Sequence, residues 1–266
     1  MDMIVCVKQV IDPEAPPARF RIDPETNSAV PPSGFPPVIS TFDEHAVEAA
    51  LRIKDLHGGK ITILSLGAGL LREIVKKPLS MGADELILLE DRAFDGGDSW
   101  TTAYALAAAI KKIGRFDLIF CGRQAADWDS GQVGIGIAEM LGLPQVTLAR
   151  KVEAADGKIT VERVTAYGYE VVETAAPVLI TVSNELGKPR YPTIKGIVAA
   201  KRKKPVIWTP SDIGLDAAQV GAAGRRTQMR KIFQPVHEGR CEMISGGNEA
   251  DAGVNLAKKM AQAKLL

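Results

Sequence analysis

Short apolar runs alternate with amphipathic segments along the first 145 residues. Four runs have the length and the Ile, Leu and Val content of buried strands, at residues 3–11, 60–66, 85–89 and 117–121. The segments between and after them repeat apolar side chains at helical spacing, at residues 42–56, 70–81, 99–113 and about 131–141. Continuous apolar strands separated by helices predict an α/β fold with a mostly parallel, doubly wound sheet that is covered on both faces.

The pattern changes after Pro144. Runs joined by turns predict antiparallel strands added to the parallel core, at residues 146–153, 158–164, 170–174 and 178–183. Beyond about residue 205, few segments are periodic until a helix predicted at about residues 250–265. We therefore predict an α/β domain over residues 1–205 and an extended C-terminal arm with a helix over residues 206–266, which packs on a partner chain.

Composition and charge exclude several classes of protein. The chain has 33 Lys and Arg against 32 Asp and Glu, a formal net charge of +1, so no nucleic acid partner is predicted. The apolar fraction of 46% is that of a globular protein, and Cys6, Cys121 and Cys241 are too far apart to indicate a disulfide framework. With no signal-peptide pattern and no apolar run of about 18 residues, we expect a cytoplasmic protein without membrane insertion.

The segment FCGRQAADWDSGQVGIGIAE (120–139) is the strongest candidate for ligand binding. A strand ends at Cys121, a polar turn follows, and a helix opens among Gly131, Gly134 and Gly136. Unpaired N–H groups at a helix start attract anions, and Ser130 is expected to cap the helix and to donate to a phosphate. The alternative is that Ser130 is only a cap and that the glycines serve helix packing. Neither a GxGxxG nor a GxxxxGK[ST] motif is present.

Catalytic patterns are sparse. His45, His57 and His237 do not have the spacing of metal ligands, and no nucleophile with a base and an orienting group is evident. We therefore predict no catalytic residues, no metal and no enzymatic activity for this chain alone.

A second candidate region is the locally basic stretch NELGKPRYPTIK (184–195), which is followed by KRKK (201–204). Such a run is ordinarily a solvated face. Leu186, on a loop stiffened by prolines and flanked by Lys188, Arg190 and Tyr191, also fits an exposed apolar anchor within a charged rim. That arrangement favours protein docking over catalysis.

Taken together, these segments resemble the β subunit of electron transfer flavoproteins, in the adenine-nucleotide α-hydrolase-like superfamily. The resemblance runs through VCVKQVID (5–12), STFDEHAVEAALRIK (40–54), SMGADELILL (80–89), CGRQAADWDSGQVG (121–134) and NELGKPRYPTIKGIVAAKRKKP (184–205). It implies a Rossmann-like, adenine-nucleotide-binding fold in a heterodimer. It also implies an α subunit that carries a redox-active FAD, which electrons reach from an acyl-CoA-type dehydrogenase.

The resemblance also implies site residues. The dehydrogenase-docking positions carry over to Leu186, Lys188, Arg190 and Tyr191, with Leu186 as the anchor. The AMP-binding positions carry over to Cys6, Ser40, Thr41, Phe42, Asp43, Leu66, Gly122, Arg123, Gln124, Ala125, Ala126, Asp127, Trp128, Asp129, Ser130, Gly131, Gln132, Val133, Gly134 and Ile135.

Two departures from the family pattern bear on the cofactors. Pro13 replaces a family aromatic residue near the flavin, just after the first strand. The sequence DWDSGQVG (127–134) is similar to the DxDTxQVG form of flavin-bifurcating members, in which a second FAD takes the AMP site, although Ile135 stands where that group has proline. The cofactors implied are FAD at the α interface and either AMP or a second FAD. The alternative function is a stand-alone ATP-binding or ATP-hydrolysing regulator of the stress-protein type.

Overall fold

The computed structural model describes residues 1–155, 157–235, 239 and 241–266, which form two compact units, Met1–Lys231 and Ile232–Leu266. The strands all lie in the first unit: β1 (Met3–Cys6), β2 (Gln9–Val10), β3 (Arg21–Asp23), β4 (Ser28–Val30), β5 (Val38–Ile39), β6 (Ile61–Leu66), β7 (Glu85–Leu89), β8 (Leu118–Gly122), β9 (Gln145–Ala155), β10 (Lys158–Thr165), β11 (Gly168–Ala175), β12 (Val178–Val182) and β13 (Val206–Trp208). The helices are α1 (Thr41–His57), α2 (Arg72–Val75), α3 (Lys77–Met81), α4 (Ser99–Ile113), α5 (Val133–Leu141), α6 (Ile194–Arg202), α7 (Gly221–Gly224) and, in the second unit, α8 (Glu249–Gln262).

Nine of the described strands form one sheet, in the order β11-β10-β9-β12-β8-β1-β6-β7-β13. The seven neighbours from β9 to β13 pair in parallel, and β10 and β11 continue the sheet in antiparallel pairing. The predicted mostly parallel sheet with added antiparallel strands is confirmed. The antiparallel assignment of residues 178–183 is wrong, because β12 pairs in parallel with both β8 and β9. Its sequence VLITV is buried throughout, as in a strand covered on both faces.

Helices cover both faces of the sheet. On one face, α1 packs with α3 and with Ala200 of α6 in a core that includes Phe120 of β8. On the other face, α4 and α5 pack in a second core with Ile119 of β8. Neighbouring residues of β8 therefore point to opposite layers, as the alternation of side chains along a strand requires. The predicted doubly wound arrangement is confirmed.

Two predicted helices differ in extent. Residues 70–81 form two short helices, α2 and α3, because Pro78 has no N–H for a continuous helix and lies instead in the first turn of α3. Helix α5 begins at Val133, with Gln132 at its N-cap and no side-chain cap. Asp129 and Gly131 have left-handed φ angles of 52° and 62°, so the chain is not helical before Val133. The predicted capping role of Ser130 is therefore wrong.

The first unit extends beyond the boundary predicted at residue 205. Strand β13 pairs with β7 at the edge of the sheet, and Ile213 and Val220 belong to the core under α4. Asp98 also accepts hydrogen bonds from the backbone N–H groups of Arg226 and Thr227. The compact unit consequently ends at Lys231. In the second unit, none of the residues of α8 is buried.

Candidate functional site

The strand order reverses at β1, which lies between β8 and β6. From β1 the chain proceeds to β6 and β7 on one side, and it then crosses to β8 on the other. Such a reversal opens a crevice at the carboxyl ends of the two diverging strands, where ligands of open α/β sheets bind. Here the crevice lies at Cys6 of β1 and Gly122 of β8, and the loop from residue 123 to residue 132, hereafter the crevice loop, follows β8.

The Asp43 carboxylate joins the two strands at this crevice. One oxygen accepts from the N–H of Lys8 at 2.8 Å, and the other accepts from the N–H of Gly122 at 3.0 Å. A Cβ at residue 122 would lie 2.5 Å from the Asp43 Oδ1, so only glycine permits this approach. Burial raises the pKa of Asp43 to about 7, against the opposing effect of these two hydrogen bonds and of the Lys8 charge.

Further contacts attach the crevice loop to the start of α1 and to the end of β1. The Ser40 hydroxyl accepts from the N–H of Ala126 at 3.2 Å. The Lys8 Nζ lies 2.8 Å from an oxygen of Asp127. The guanidinium of Arg123 stacks over the ring of Phe42 at 5.1 Å. Residues 40–43 and the crevice loop, which are far apart in sequence, are thereby brought together.

The crevice loop also has internal contacts that define its shape. Gln124 donates from its side-chain amide to Asp129 at 2.7 Å, and the N–H of Asp129 donates to the carbonyl of Ala125 at 3.0 Å. The left-handed backbone at Gly131 turns the chain into α5. The first N–H groups of α5 therefore follow directly from the crevice loop, which is the arrangement that favours an anion.

The glycines of α5 serve packing. A Cβ at Gly134 would lie 3.1 Å from Thr181 Cγ2, and a Cβ at Gly136 would lie 2.9 Å from the Cβ of Ala103 on α4. Both glycines let α5 approach its neighbours closely. The packing explanation raised for the glycines therefore holds for Gly134 and Gly136, while the left-handed φ of Gly131 shapes the crevice loop.

Two buried cysteines and two exposed side chains also lie at the crevice or in the segments that follow it. Cys6 and Cys121 are buried on neighbouring strands, and the adjacent Cys6 thiol together with burial raises the pKa of Cys121. Trp128, in the crevice loop, is 53% exposed, and Ile135 of α5 is also exposed. Leu66 ends β6, the other neighbour of β1.

Sequence reasoning missed Lys8, although a lysine directly after the apolar run MIVCV was a usable signal.

The region predicted for docking has a different arrangement from that expected. Leu186 is only 7% exposed and belongs to the core beside α1, so its predicted exposure is wrong. Arg190 is engaged within the chain, because its guanidinium and its N–H donate to Glu48 and its Nη2 donates to Asp55. These partners raise the pKa of Arg190. Lys188 and Tyr191 are exposed, as predicted.

The three histidines do not come together in a metal-binding group within the described part of the chain. No group of three or more His, Cys, Asp and Glu side chains that could hold a metal ion occurs among those residues. The Nδ1 of His45 contacts the carbonyl of Thr41 within α1, and His57 ends the same helix. His237 lies outside the described residues. Among the residues described, no helix has the length and apolar content needed to cross a membrane.

Comparison with known proteins identifies the family. The electron transfer flavoprotein domain matches residues 36–213. The chain is 43% identical over 261 residues to the electron transfer flavoprotein subunit beta of Thermoanaerobacterium thermosaccharolyticum, with 98% of each chain covered. The chain belongs to the family of electron transfer flavoprotein β subunits. Proteins of this family are electron carriers rather than catalytic enzymes; they bind flavin and nucleotide, and their β subunits pair with an α subunit.

Other relatives carry different names. The chain is 38% identical over 267 residues to subunit CarD of the caffeyl-CoA reductase-Etf complex of Acetobacterium woodii, with both chains fully covered. It is 39% identical over 243 residues to the protein FixA of Azorhizobium caulinodans, covering 88% of this chain and 85% of that one. This electron transfer flavoprotein β subunit is thus similar to proteins with several different names.

Proposed function

We propose that this β subunit pairs with a flavin-bearing α subunit, binds an adenine nucleotide in the crevice between β1 and β8, and receives an acyl-CoA-type dehydrogenase that delivers electrons to the FAD. The observation that carries the nucleotide proposal is the crevice loop, which Ser40 and Lys8 hold over the reversal of strand order, with Asp43 joining the strand ends beneath it. The start of α5 supplies N–H donors for a phosphate. The cytoplasmic location expected from the sequence stays a prediction.

The nucleotide is either AMP or the adenine half of a second FAD. Both present the same adenosine phosphate to the crevice, so the residues predicted to hold it are the same. The DWDSGQVG sequence supports a second FAD, whereas Ile135 departs from that pattern. Trp128 in the crevice loop is 53% exposed, and an indole ring is a side chain that can stack on an aromatic ring.

The stand-alone ATP-hydrolysing alternative loses its support. The family match covers residues 36–213, and family members carry electrons as part of a complex. The carboxylate of Asp43, which is buried at the crevice, is already bound to two N–H groups, as expected of a group that organises the crevice.

The test is to coexpress this chain with an α subunit, purify the complex, and quantify extracted FAD and AMP. One FAD with one AMP supports a simple carrier, and two FAD molecules support a bifurcating type. A complex that forms without any adenine nucleotide beyond the α-held FAD would refute nucleotide binding in the crevice.

A pair of matched variants locates the nucleotide. Lys8→Met removes the ion pair between Lys8 and Asp127 at the crevice. Lys60→Met removes a comparable exposed ion pair with Glu85 at the opposite end of the sheet. We expect the first variant to lower the retained nucleotide and the second to leave it unchanged. Equal nucleotide content in both variants and the wild type would place the ligand elsewhere.

A further inference from the structure

The turn that follows β1 contacts the loops on both sides of the crevice. Lys8 reaches the crevice loop, which follows β8, through its ion pair with Asp127. The next residue, Gln9, contacts the loop at residues 67–71, hereafter the β6 loop, which follows β6 on the other side of β1. Two successive residues thus attach opposite flanks of the crevice to one turn.

Gln9 holds the β6 loop with both ends of its side-chain amide. Its Nε2 donates to the carbonyl of Gly69 at 3.1 Å, and its Oε1 accepts from the N–H of Leu71 at 2.8 Å. The backbone of Gln9 is itself fixed, because β2 pairs with β5 and places Gln9 opposite Ile39. An amide that is bonded at both its donor and its acceptor end therefore restricts the β6 loop to one position.

The face of the sheet opens where the β6 loop begins. Leu64 and Leu66 lie on the same side of β6, which is also the side of Cys6 and Cys121. Leu64 is fully buried, whereas Leu66 is only partly buried. Helix α5 belongs to the same layer, so a ligand with its phosphate at the start of α5 can extend across β1 toward Leu66. Strand β6 lies two strand spacings from β8, about 10 Å, which suits a nucleotide and is too far for a lone phosphate.

The β6 loop offers backbone groups rather than long side chains. Gly67, Ala68 and Gly69 are small and at least partly exposed. Among the residues that the structure describes, no acceptor is bonded to the N–H of Ala68 or of Gly69. Backbone groups in fixed positions distinguish ligands by their hydrogen-bonding edges, because a mismatched edge leaves a buried polar group unpaired. The β6 loop is therefore suited to the edge of a base.

We propose that Gln9 is a positioning residue that sets base selectivity in the crevice. It fixes the β6 loop so that backbone groups of residues 67–69 meet the edge of an adenine, while the start of α5 takes the phosphate. The inference rests on the proposed function and deepens it, because it assigns the two ends of the nucleotide to two loops held by one turn. Loss of the Lys8 ion pair should then weaken every phosphate ligand alike, whereas loss of the Gln9 contacts should weaken the discrimination between bases.

The experiment uses the complex with an α subunit and its FAD, after the nucleotide of the crevice has been removed by dialysis. Radiolabelled AMP is bound and is then displaced by unlabelled AMP, IMP or ribose 5-phosphate. IMP differs from AMP only in its base, and ribose 5-phosphate has no base. In Gln9→Met we expect the affinity for AMP to fall about fivefold, because the displaced loop loses one hydrogen bond to adenine. The affinity for ribose 5-phosphate should stay unchanged, and the preference for AMP over IMP should shrink.

Gln145→Met is the matched control. Gln145 is exposed and begins β9, so it lies at the amino ends of the parallel strands, opposite the crevice. This variant should keep all three affinities at the wild-type values. Lys8→Met should lower all three by the same factor.

Hydrogen exchange gives a second measurement on the same complexes. Gln9→Met should speed exchange of the Leu71 N–H, because the acceptor of that N–H is removed. In the wild type, AMP should slow exchange in residues 67–71.

The outcomes separate the two proposals. If the wild-type complex binds no AMP, the proposed function fails and the role of Gln9 fails with it. If the wild type binds AMP and Gln9→Met keeps the same preference over IMP, only the role of Gln9 is overturned. An equal loss of affinity for all three ligands in Gln9→Met would also overturn that role, since it would show a general structural effect. Exchange in residues 67–71 that AMP does not slow would place the base elsewhere and overturn it as well.

Discussion

Replacing Asp43 by asparagine should change how the stability of the protein depends on pH. The Asp43 carboxyl is buried, and its pKa is raised from 3.8 to about 7, mainly by burial. Between these two values the folded chain holds a proton that the unfolded chain has lost, so the free energy of unfolding falls as pH rises. The amide side chain of the Asp43→Asn variant does not titrate and carries no such proton.

The magnitude follows from the displacement of the pKa. For each pH unit between the two pKa values, the free energy of unfolding of the wild type falls by about 1.4 kcal/mol. The fall is smaller close to pH 7, because Asp43 is then partly ionised in the folded chain as well. The stability of Asp43→Asn relative to the wild type should therefore rise by about 2 kcal/mol from pH 5 to pH 7 and level off above pH 8. The lost acceptor for the N–H of Lys8 or Gly122 adds a destabilisation of about 1–3 kcal/mol that does not vary with pH.

The assay is urea unfolding followed by far-ultraviolet circular dichroism at pH 5, 6, 7 and 8. Asp98→Asn is the matched control, because hydrogen bonds from Thr101, Arg226 and Thr227 hold the pKa of Asp98 well below its ordinary value despite some burial. Its carboxyl stays ionised in both states over this range, so its effect should be constant. A wild-type-minus-Asp43→Asn difference that does not change with pH would refute the reasoning.

Other variants test the remaining features. Leu186→Ala should lower the free energy of unfolding by about 2–5 kcal/mol in urea, since the side chain is buried, and an unchanged midpoint would contradict that burial. Gly136→Val should cost about 1–3 kcal/mol by pressing α5 away from Ala103, and an unchanged melting temperature would show that α5 yields freely. Gly131→Ala should cost about 1 kcal/mol at its left-handed φ and lower nucleotide retention, and full retention with full stability would show that the crevice loop tolerates another conformation.

The sheet and its helices were predictable because their signals are local and periodic. The run ELILL and the helix between Asp98 and Gly114 have the expected bounds, since apolar spacing and terminal capping residues lie within each segment. The place of β12 in the sheet was not predictable from neighbouring turns. Its parallel pairing with β8 depends on a strand 60 residues earlier, and sequence order conveys no such pairing.

The candidate site was predictable as a set of segments but not as a set of contacts. Residues 40–43 and the crevice loop were named together, yet the carboxylate link through Asp43 arises only when α1 lies across the ends of two strands. The burial of Leu186, by contrast, could not be predicted from its neighbours in the sequence. A leucine between polar neighbours has the same sequence pattern whether it faces solvent or a helix, and packing beside α1 decided the matter.

Helix α1 contacts both functional regions along its 17 residues. Its first turn holds the crevice through Asp43, and its middle holds the loop at Leu186 and Arg190 through Glu48 and Arg52. A straight helix of this length spans about 25 Å and does not stretch. The crevice and the loop at Leu186 and Arg190 are thus attached to the same rigid helix, which fixes the distance between them. We therefore expect these two regions to keep their separation, and not to slide past one another, when partners bind.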